Sequence, residues 1–346
     1  MSRHRTICCS DRCLERASMH HKPVVLILTE EMDEHANMIV PRLVERGVRP
    51  LRIHTADFPL SATIDIVNTH GEWKGYLECS SGRVYLDEIR SAWFRRPNNP
   101  DLSKSGILPE AQRFAQFETK AACQGLWRSL SCFWVSHPDK IESSSYKVEQ
   151  LQSAAIIGLK VPKTIVTNNP NTLLSFYHTC KGEVVYKTLW RPVVEYQHIS
   201  SAIYTTPLSS QHLDNLETVS LSACLFQEYI PKSFELRITI IGRQVFAVAI
   251  HSQESSIAKH DWRRYDLDNT PHYIFDLPSD IADKCRSLVI DHYGLCFGAI
   301  DMIVTPEGDY VFLELNPNGQ WAWLELLTGI PLSDTLADLL AVGHLI

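Results

Sequence analysis

Two apolar runs near the end of the chain, Phe297–Val304 and Tyr310–Asn316, flank a Pro306-Glu307-Gly308-Asp309 turn, the pattern of a β-hairpin. A symmetric pairing about that turn sets Asp301 opposite Glu314. Alternation of side chains then puts Asn316 on the same face. Ile300, Met302, Val304, Val311, Leu313 and Leu315 point the other way, into a core. Two carboxylates and an amide oxygen converge on one face of an otherwise apolar ribbon. Like charges directly opposite repel, so a positive partner is expected between them. Nearby Lys or Arg side chains could supply it. Alternatively the oxygens hold Mg²⁺, which takes one or two carboxylates plus substrate phosphates.

The same patterning divides the rest of the chain. Val24–Thr29 is a continuous apolar run, as in a buried parallel strand. Residues 33–46 have helical spacing, with Ala36, Ile39, Val40, Leu43 and Val44 on one side and Gly47 as the stop. A strand over 51–53 completes a β-α-β unit. No GxGxxG follows the first strand, so a dinucleotide fingerprint is absent. Residues 64–86, punctuated by Gly71, Gly75 and Gly82, predict antiparallel strands. The run Trp93-Phe94-Arg95-Arg96-Pro97 presents two guanidiniums at a strand end, where α/β proteins bind ligands; a solvated edge is the plainer reading. A helix over 109–130 has Phe114, Phe117, Ala121, Leu126 and Leu130 as its buried candidates. A short strand, Phe133–Val135, is broken by Pro138, and the main boundary falls there.

Beyond it, residues 143–157 predict a helix with serine caps. Lys147 lies in its first turn, where a cation does not complement the helix dipole. Strands over 162–167 and 183–187 surround a helix over 171–179. Lys187 ends an apolar run, and an inward lysine needs an anionic partner. A strand over 199–206 and a helix over 210–216 precede a strand over 224–230, which carries Gln227, Glu228, Tyr229 and Ile230. Strands over 233–240 and 245–250 turn at Gly242, with Glu235 and Arg237 on one face; a simple ion pair is the plainer reading of those two. Asp261-Trp262-Arg263 falls in a polar loop or hairpin, and a helix over 277–292 leads into the terminal hairpin.

At 346 residues the chain exceeds one ordinary domain. Its formal net charge of −7 argues against general nucleic-acid binding, which needs a basic face. No apolar run approaches the roughly 18 residues of a membrane span. Ten cysteines without regular spacing read as reduced thiols in a cytoplasm. Cys8, Cys9 and Cys13 cluster, the one place where a metal or redox role fits this set. Residues 1–22 are basic and polar, lack the apolar core of a signal peptide, and are expected to be disordered; translation could also begin at Met19.

Taken in order, Lys147, Lys187, Gln227-Glu228-Tyr229-Ile230, Glu235-x-Arg237, Asp301 and Glu314-x-Asn316 resemble the ATP-grasp superfamily over roughly residues 138–346. The motif Trp93-Phe94-Arg95-Arg96-Pro97, with Phe312 to Trp321 (FLELNPNGQW), resembles more narrowly the microviridin-type maturases of ribosomal peptides, the graspetide macrocyclases. This resemblance implies an α/β fold, α+β in its C-terminal half. It implies an N-terminal α/β pre-ATP-grasp domain with a helical connection at 23–137. An ATP-grasp domain follows, with a central subdomain at 138–230 and a C-terminal one at 231–346.

The resemblance also implies ATP, Mg²⁺ and roles for the residues above. Lys147 and Lys187 would bind phosphates. Gln227, Glu228, Tyr229 and Ile230 would form the adenine hinge, with Leu313 against the base and Glu235 on the ribose. Arg237 would face the transferring phosphoryl group, and Asp301, Glu314 and Asn316 would hold Mg²⁺. Asp261 and Arg263 would engage acidic groups of a precursor peptide, with Arg95 and Arg96 as further substrate candidates. The implied reaction phosphorylates an Asp or Glu side chain and closes an ω-ester or ω-amide ring from the acyl phosphate. A homodimer is expected by the same likeness. One departure is that residues 191–201 contain no glycine, where many ATP-grasp enzymes have a glycine-rich loop over the phosphates; position 137 is His where relatives often carry Asn. The alternatives are a glutamate- or alanine-adding type of amino-acid ligase and a nucleotide-binding module without chemistry.

Overall fold

The computed structural model describes residues 22–190, 193–196, 199–257, 261–264 and 266–346. The expected disordered segment, except Lys22, lies outside them, together with Cys8, Cys9, Cys13 and Met19. Strand β1 (Val24–Thr29), helix α1 (Glu34–Glu45) and strand β2 (Arg49–His54) form the expected parallel unit, paired residue by residue. The Asp33 side chain starts α1 by accepting the His35 N–H at 3.0 Å. His35, Ala36, Ile39 and Leu43 are buried. Val44, expected inside, is 56% exposed because it lies a quarter-turn off that stripe.

Strands β3 (Thr63–Thr69), β4 (Glu72–Cys79) and β5 (Gly82–Tyr85) make the antiparallel sheet that the glycine punctuation predicted. Strand β6 (Ile89–Phe94) returns alongside β1. After helix α2 (Pro109–Ser129), strand β7 (Phe133–Val135) completes a parallel sheet of order β2-β1-β6-β7. Helix α2 buries Cys123, Leu126 and Trp127 near its end. Phe114 and Phe117, expected in the core, are 68% and 64% exposed, and Ala121 is exposed too, because only the last turns of α2 reach the sheet.

The helix expected at 143–157 is two helices, α3 (Pro138–Ser143) and α4 (Lys147–Ile157). Tyr146, not a serine, precedes α4, and its side chain makes no capping bond. Strand β8 (Thr164–Thr167), helix α5 (Pro170–Thr179) and strand β9 (Val184–Lys187) follow. The strand expected at 199–206 is divided. Strands β10 (Val193–Tyr196) and β11 (Ile199–Ala202) pair as a hairpin, and β12 (Thr206–Pro207) joins β9. Helix α6 (Ser210–Asp214) and strand β13 (Cys224–Glu228) complete an antiparallel sheet of order β12-β9-β13-β8.

The C-terminal sheet has order β16-β15-β14-β17-β18. Its strands are β14 (Phe234–Ile241), β15 (Gln244–Ile250), β16 (His272–Ile274), β17 (Phe297–Val304) and β18 (Tyr310–Asn316). Helix α7 (Ser279–Arg286) continues into a wider turn over 287–292 ahead of β17. Helices α8 (Ala322–Thr328) and α9 (Leu332–Val342) fold back onto α1 and β6. Trp93, Phe297, Trp321 and Leu336 share one core there, so the N-terminal parallel sheet packs against the C-terminal elements. Arg46 of α1 reinforces the contact through Asp338 of α9 at 2.6 Å. No helix among the described residues is long and apolar enough to cross a membrane, and the described cysteines are free.

Candidate active site

Strands β17 and β18 set Asp301 opposite Glu314 and Ala299 opposite Asn316, as the symmetric hairpin predicted. The register then slips by one, and Met302 faces Phe312. Such a bulge sets two residues against one and re-aims a side chain. Phe312 takes the core place expected of Leu313, packing with Ile300, Met302 and Leu315. Leu313 lines a cleft instead. That cleft, about 710 Å³ of open space, lies between the central and C-terminal sheets. Val185 and Lys187 of β9 line one wall; Asp301, Met302 and Glu314 line the other.

The chain's own cations neutralise the acidic pair. An oxygen of Asp301 accepts from Arg237 at 2.8 Å, and Glu314 Oε2 lies 2.8 Å from Lys147 Nζ. Arg263 forks onto Asp261 through Nε at 2.8 Å and NH2 at 2.6 Å, and its NH1 lies 3.8 Å from Glu314. Burial opposes ionisation of Glu314, yet Lys147, Arg263 and Lys187 together hold it well below the usual carboxylate range. Burial pushes Asp301 up, with Arg237 pulling it back. Burial pushes the Lys187 ammonium down to about 8, against the attraction of Glu314 and with the repulsion of Lys147. Asn316 is exposed beside Glu314, and its Oδ1 accepts the Asn318 N–H at 3.1 Å. Among the described residues no three His, Cys, Asp or Glu side chains gather as a metal site. The donor set is two carboxylates and an amide, all oxygen, which suits a hard divalent cation.

Tyr229 and Ile230 line the same cleft beyond β13. Gln227 is buried and donates to Thr164 Oγ1 at 3.0 Å. The Glu228 carboxylate is taken by the Lys163 N–H at 2.8 Å and the Lys163 ammonium at 3.2 Å. Glu235 is buried with Lys232 against Oε1, while its Oε2 has no hydrogen-bond partner among the described residues. Burial raises this carboxyl above its ordinary range, opposed by Lys232. A buried acceptor with no donor beside a cleft calls for a hydrogen-bond partner.

Arg95 is placed otherwise than as a substrate ligand. It is 1% exposed, donates to the Asn318 carbonyl, lies 3.4 Å from Asp33 and sits 5.3 Å over the Trp321 ring. Through its NH1 and NH2 groups it bolts the end of β6 to the loop after β18 and to His35, while its Nε makes no hydrogen bond among the described residues. Arg96 next to it is exposed and faces a separate cavity. His35 Nε2 accepts the N–H groups of Trp321 and Ala322 at 3.0 and 3.2 Å, capping α8. Gly319 is required in that loop: a Cβ would lie 2.4 Å from the Ala299 Cβ and 2.5 Å from an Arg237 nitrogen. The Arg-Arg-Pro and Gln-Trp motifs therefore meet in space and wedge Arg237 into position.

Sequence patterning missed Gln150, Lys232 and Trp262. Gln150 is buried on α4; its Oε1 accepts the Leu315 N–H at 2.9 Å and its Nε2 donates to the Leu315 carbonyl at 2.7 Å. Its position three after Lys147, on the same helix face, was the available signal. Trp262 lines the cleft and stacks on Trp323 at 4.9 Å.

The model of the MvdD pre-ATP grasp domain matches residues 24–142. No curated protein matches the chain. Among solved structures, the macrocyclase MdnC of Microcystis aeruginosa MRC, bound with precursor peptide MdnA, is 31% identical with a TM-score of 0.81. The match covers 92% of this chain and 99% of that one. A Chryseobacterium gregarium RiPP-associated ATP-grasp ligase, in complex with ADP and a leader and core peptide, is 30% identical with a TM-score of 0.86. It covers 93% of this chain and 97% of that one. The ATP-grasp ligase PsnB shares the fold at 19% identity. With that identity sustained over nearly the whole of both chains, the protein belongs to the graspetide family of ATP-grasp ligases.

Proposed function

We propose that this chain uses ATP to activate Asp or Glu side chains of a ribosomal precursor peptide and closes ω-ester or ω-amide rings. The observation that carries the reading is the facing pair Asp301 and Glu314, ringed by Lys147, Lys187, Arg237 and Arg263 at the mouth of a nucleotide-sized cleft. The adenine would lie against Val185 and Leu313, with main-chain groups of residues 227–230 at its edge, since the Glu228 carboxylate is already engaged. The unpartnered oxygen of Glu235 would accept from the ribose. Lys147 and Lys187 would take phosphate oxygens.

Asp301, Glu314 and Asn316 would hold Mg²⁺, which when bound offsets phosphate charge. Arg237 would face the γ-phosphoryl group, and Arg263, fixed by Asp261, would hold the substrate carboxylate. A carboxylate oxygen attacks the γ-phosphorus and ADP departs. A hydroxyl or amine of the peptide then attacks the acyl carbon and phosphate departs, so each ring loses one water. Units at 23–137, 138–230 and 231–346, a cytoplasmic setting and a homodimer belong to the same reading. The separate sheets support the first, the free cysteines the second, and the exposed Phe114 and Phe117 the third.

The test is incubation with ATP, Mg²⁺ and a small Thr/Asp/Glu-rich precursor peptide, read by mass. The expected result is loss of one water per ring with ADP formed, abolished by Glu314→Gln. ADP release provoked by free amino acids alone would favour an amino-acid ligase.

A further inference from the structure

A second cavity, about 1550 Å³ of open space, lies between the N-terminal parallel sheet and the loop after β18. It lies next to the hollow that borders the active site. The hollow beside Lys147 and Glu314 is also lined by Trp190 and Asn316, and the same two residues line the second cavity. Arg96 and Lys120 stand in its wall. Its one lining carboxylate, Glu30, lies 3.9 Å from Arg96, and both side chains are about two-fifths exposed, so that pairing holds Arg96 weakly. No ion pair of Lys120 occurs among the described residues. The amide of Asn318 adds a polar wall. Arg95, one residue earlier, also borders the cavity but is buried and held by Asn318 and Asp33, so Arg96 is the more accessible guanidinium of the pair.

We propose that this cavity binds a second, non-reacting carboxylate of the peptide, next along the chain from the one activated beside Glu314, and that Arg96 and Lys120 select it. This rests on the peptide-ligase reading and adds its substrate specificity. A protein of net charge −7 repels an acidic peptide at long range, so acceptance must come from cations fixed where the peptide enters. A guanidinium and an ammonium next to amides meet that need. An amide-rich or basic segment would leave Lys120 unpaired and Arg96 with only its weak contact to Glu30.

The experiment titrates the full chain, with ADP and Mg²⁺ present, with two fluorescein-labelled synthetic peptides. One is rich in Thr, Glu and Asp; the other replaces its acids by Gln and Asn. The intact chain should prefer the acidic peptide. Arg96→Gln and Lys120→Gln should each shrink the acid-to-amide ratio of affinities by about fivefold to tenfold, and Arg96→Lys should recover part of it. Binding of ADP to the same samples reports that they are folded. An unchanged ratio in both variants, or equal affinity of the intact chain for the two peptides, would overturn the proposal. Its failure is separable from that of the ligase reading. If ATP-dependent ring closure runs while the ratio is unmoved, only the role of Arg96 and Lys120 falls. If no peptide provokes ADP release, the ligase reading falls first.

Discussion

Lys187 ends an apolar strand and lines the cleft with Arg263, next to a hollow lined by Lys147. Its folded pKa of about 8 lies below the ordinary 10.5, so above pH 8 the folded chain loses a proton that the unfolded chain still binds. The cationic form is the one that holds phosphate. Nucleotide affinity should therefore fall as pH rises through about 8, and binding near that pH should take up a proton. Calorimetry in buffers of different ionisation enthalpy reads both effects, and Lys187→Gln should remove the proton uptake while weakening binding at neutral pH. The inward position of Lys187 was legible because it ends an apolar run. The fate of Arg95 was not. A guanidinium at a strand end reads alike whether it meets a ligand or a carbonyl, and here the carbonyl belongs to Asn318, far along the chain.

At the scale of elements, α4 is stapled to β18. Lys147 reaches Glu314, and one turn later Gln150 pairs with both main-chain groups of Leu315, between two of the proposed metal ligands. Gln150→Leu removes both partners of a buried peptide group, at a cost of about 1–3 kcal/mol by denaturant unfolding. It should also raise the Mg²⁺ concentration needed for half-maximal ADP formation. Gln150→Glu keeps the acceptor for the Leu315 N–H but sets a buried carboxylate oxygen against the Leu315 and Ser144 carbonyls, and should be at least as destabilising. Unchanged Mg²⁺ dependence in a destabilised Gln150→Leu would confine the residue to a structural role. The hairpin was legible from its turn and its alternation. Its bulge was not, because Phe312 and Leu313 are both apolar and pattern alone cannot say which one the core admits.

At the scale of the whole molecule, the N-terminal sheet is locked to the active-site loop by Asp33, His35, Arg95 and Trp321. Burial lowers the His35 pKa from its ordinary 6.5, although Asp33 pulls the other way, and Nε2 must stay unprotonated to accept two N–H groups. Stability from His35 is present above pH 6.5 and is lost as pH falls toward its lower folded value. Despite opposing burial, Asp33 is held far below its ordinary 3.8 by His35 and Arg95, so its share is lost only in stronger acid. Melting temperature should therefore drop as pH falls below about 6.5, with the His35→Gln variant lacking that part of the drop. Most of the order of strands and helices was legible from their periods. The lock was not, because its residues come from opposite ends of the chain and meet only in the fold. In the proposed reaction the two sheets grip ATP so that a peptide carboxylate attacks its terminal phosphoryl group. The most direct measurement uses a precursor peptide with heavy-oxygen-labelled Asp and Glu carboxylates and follows the phosphate released with each ring. One labelled oxygen should be carried into each phosphate; ring closure with unlabelled phosphate would contradict attack by the carboxylate.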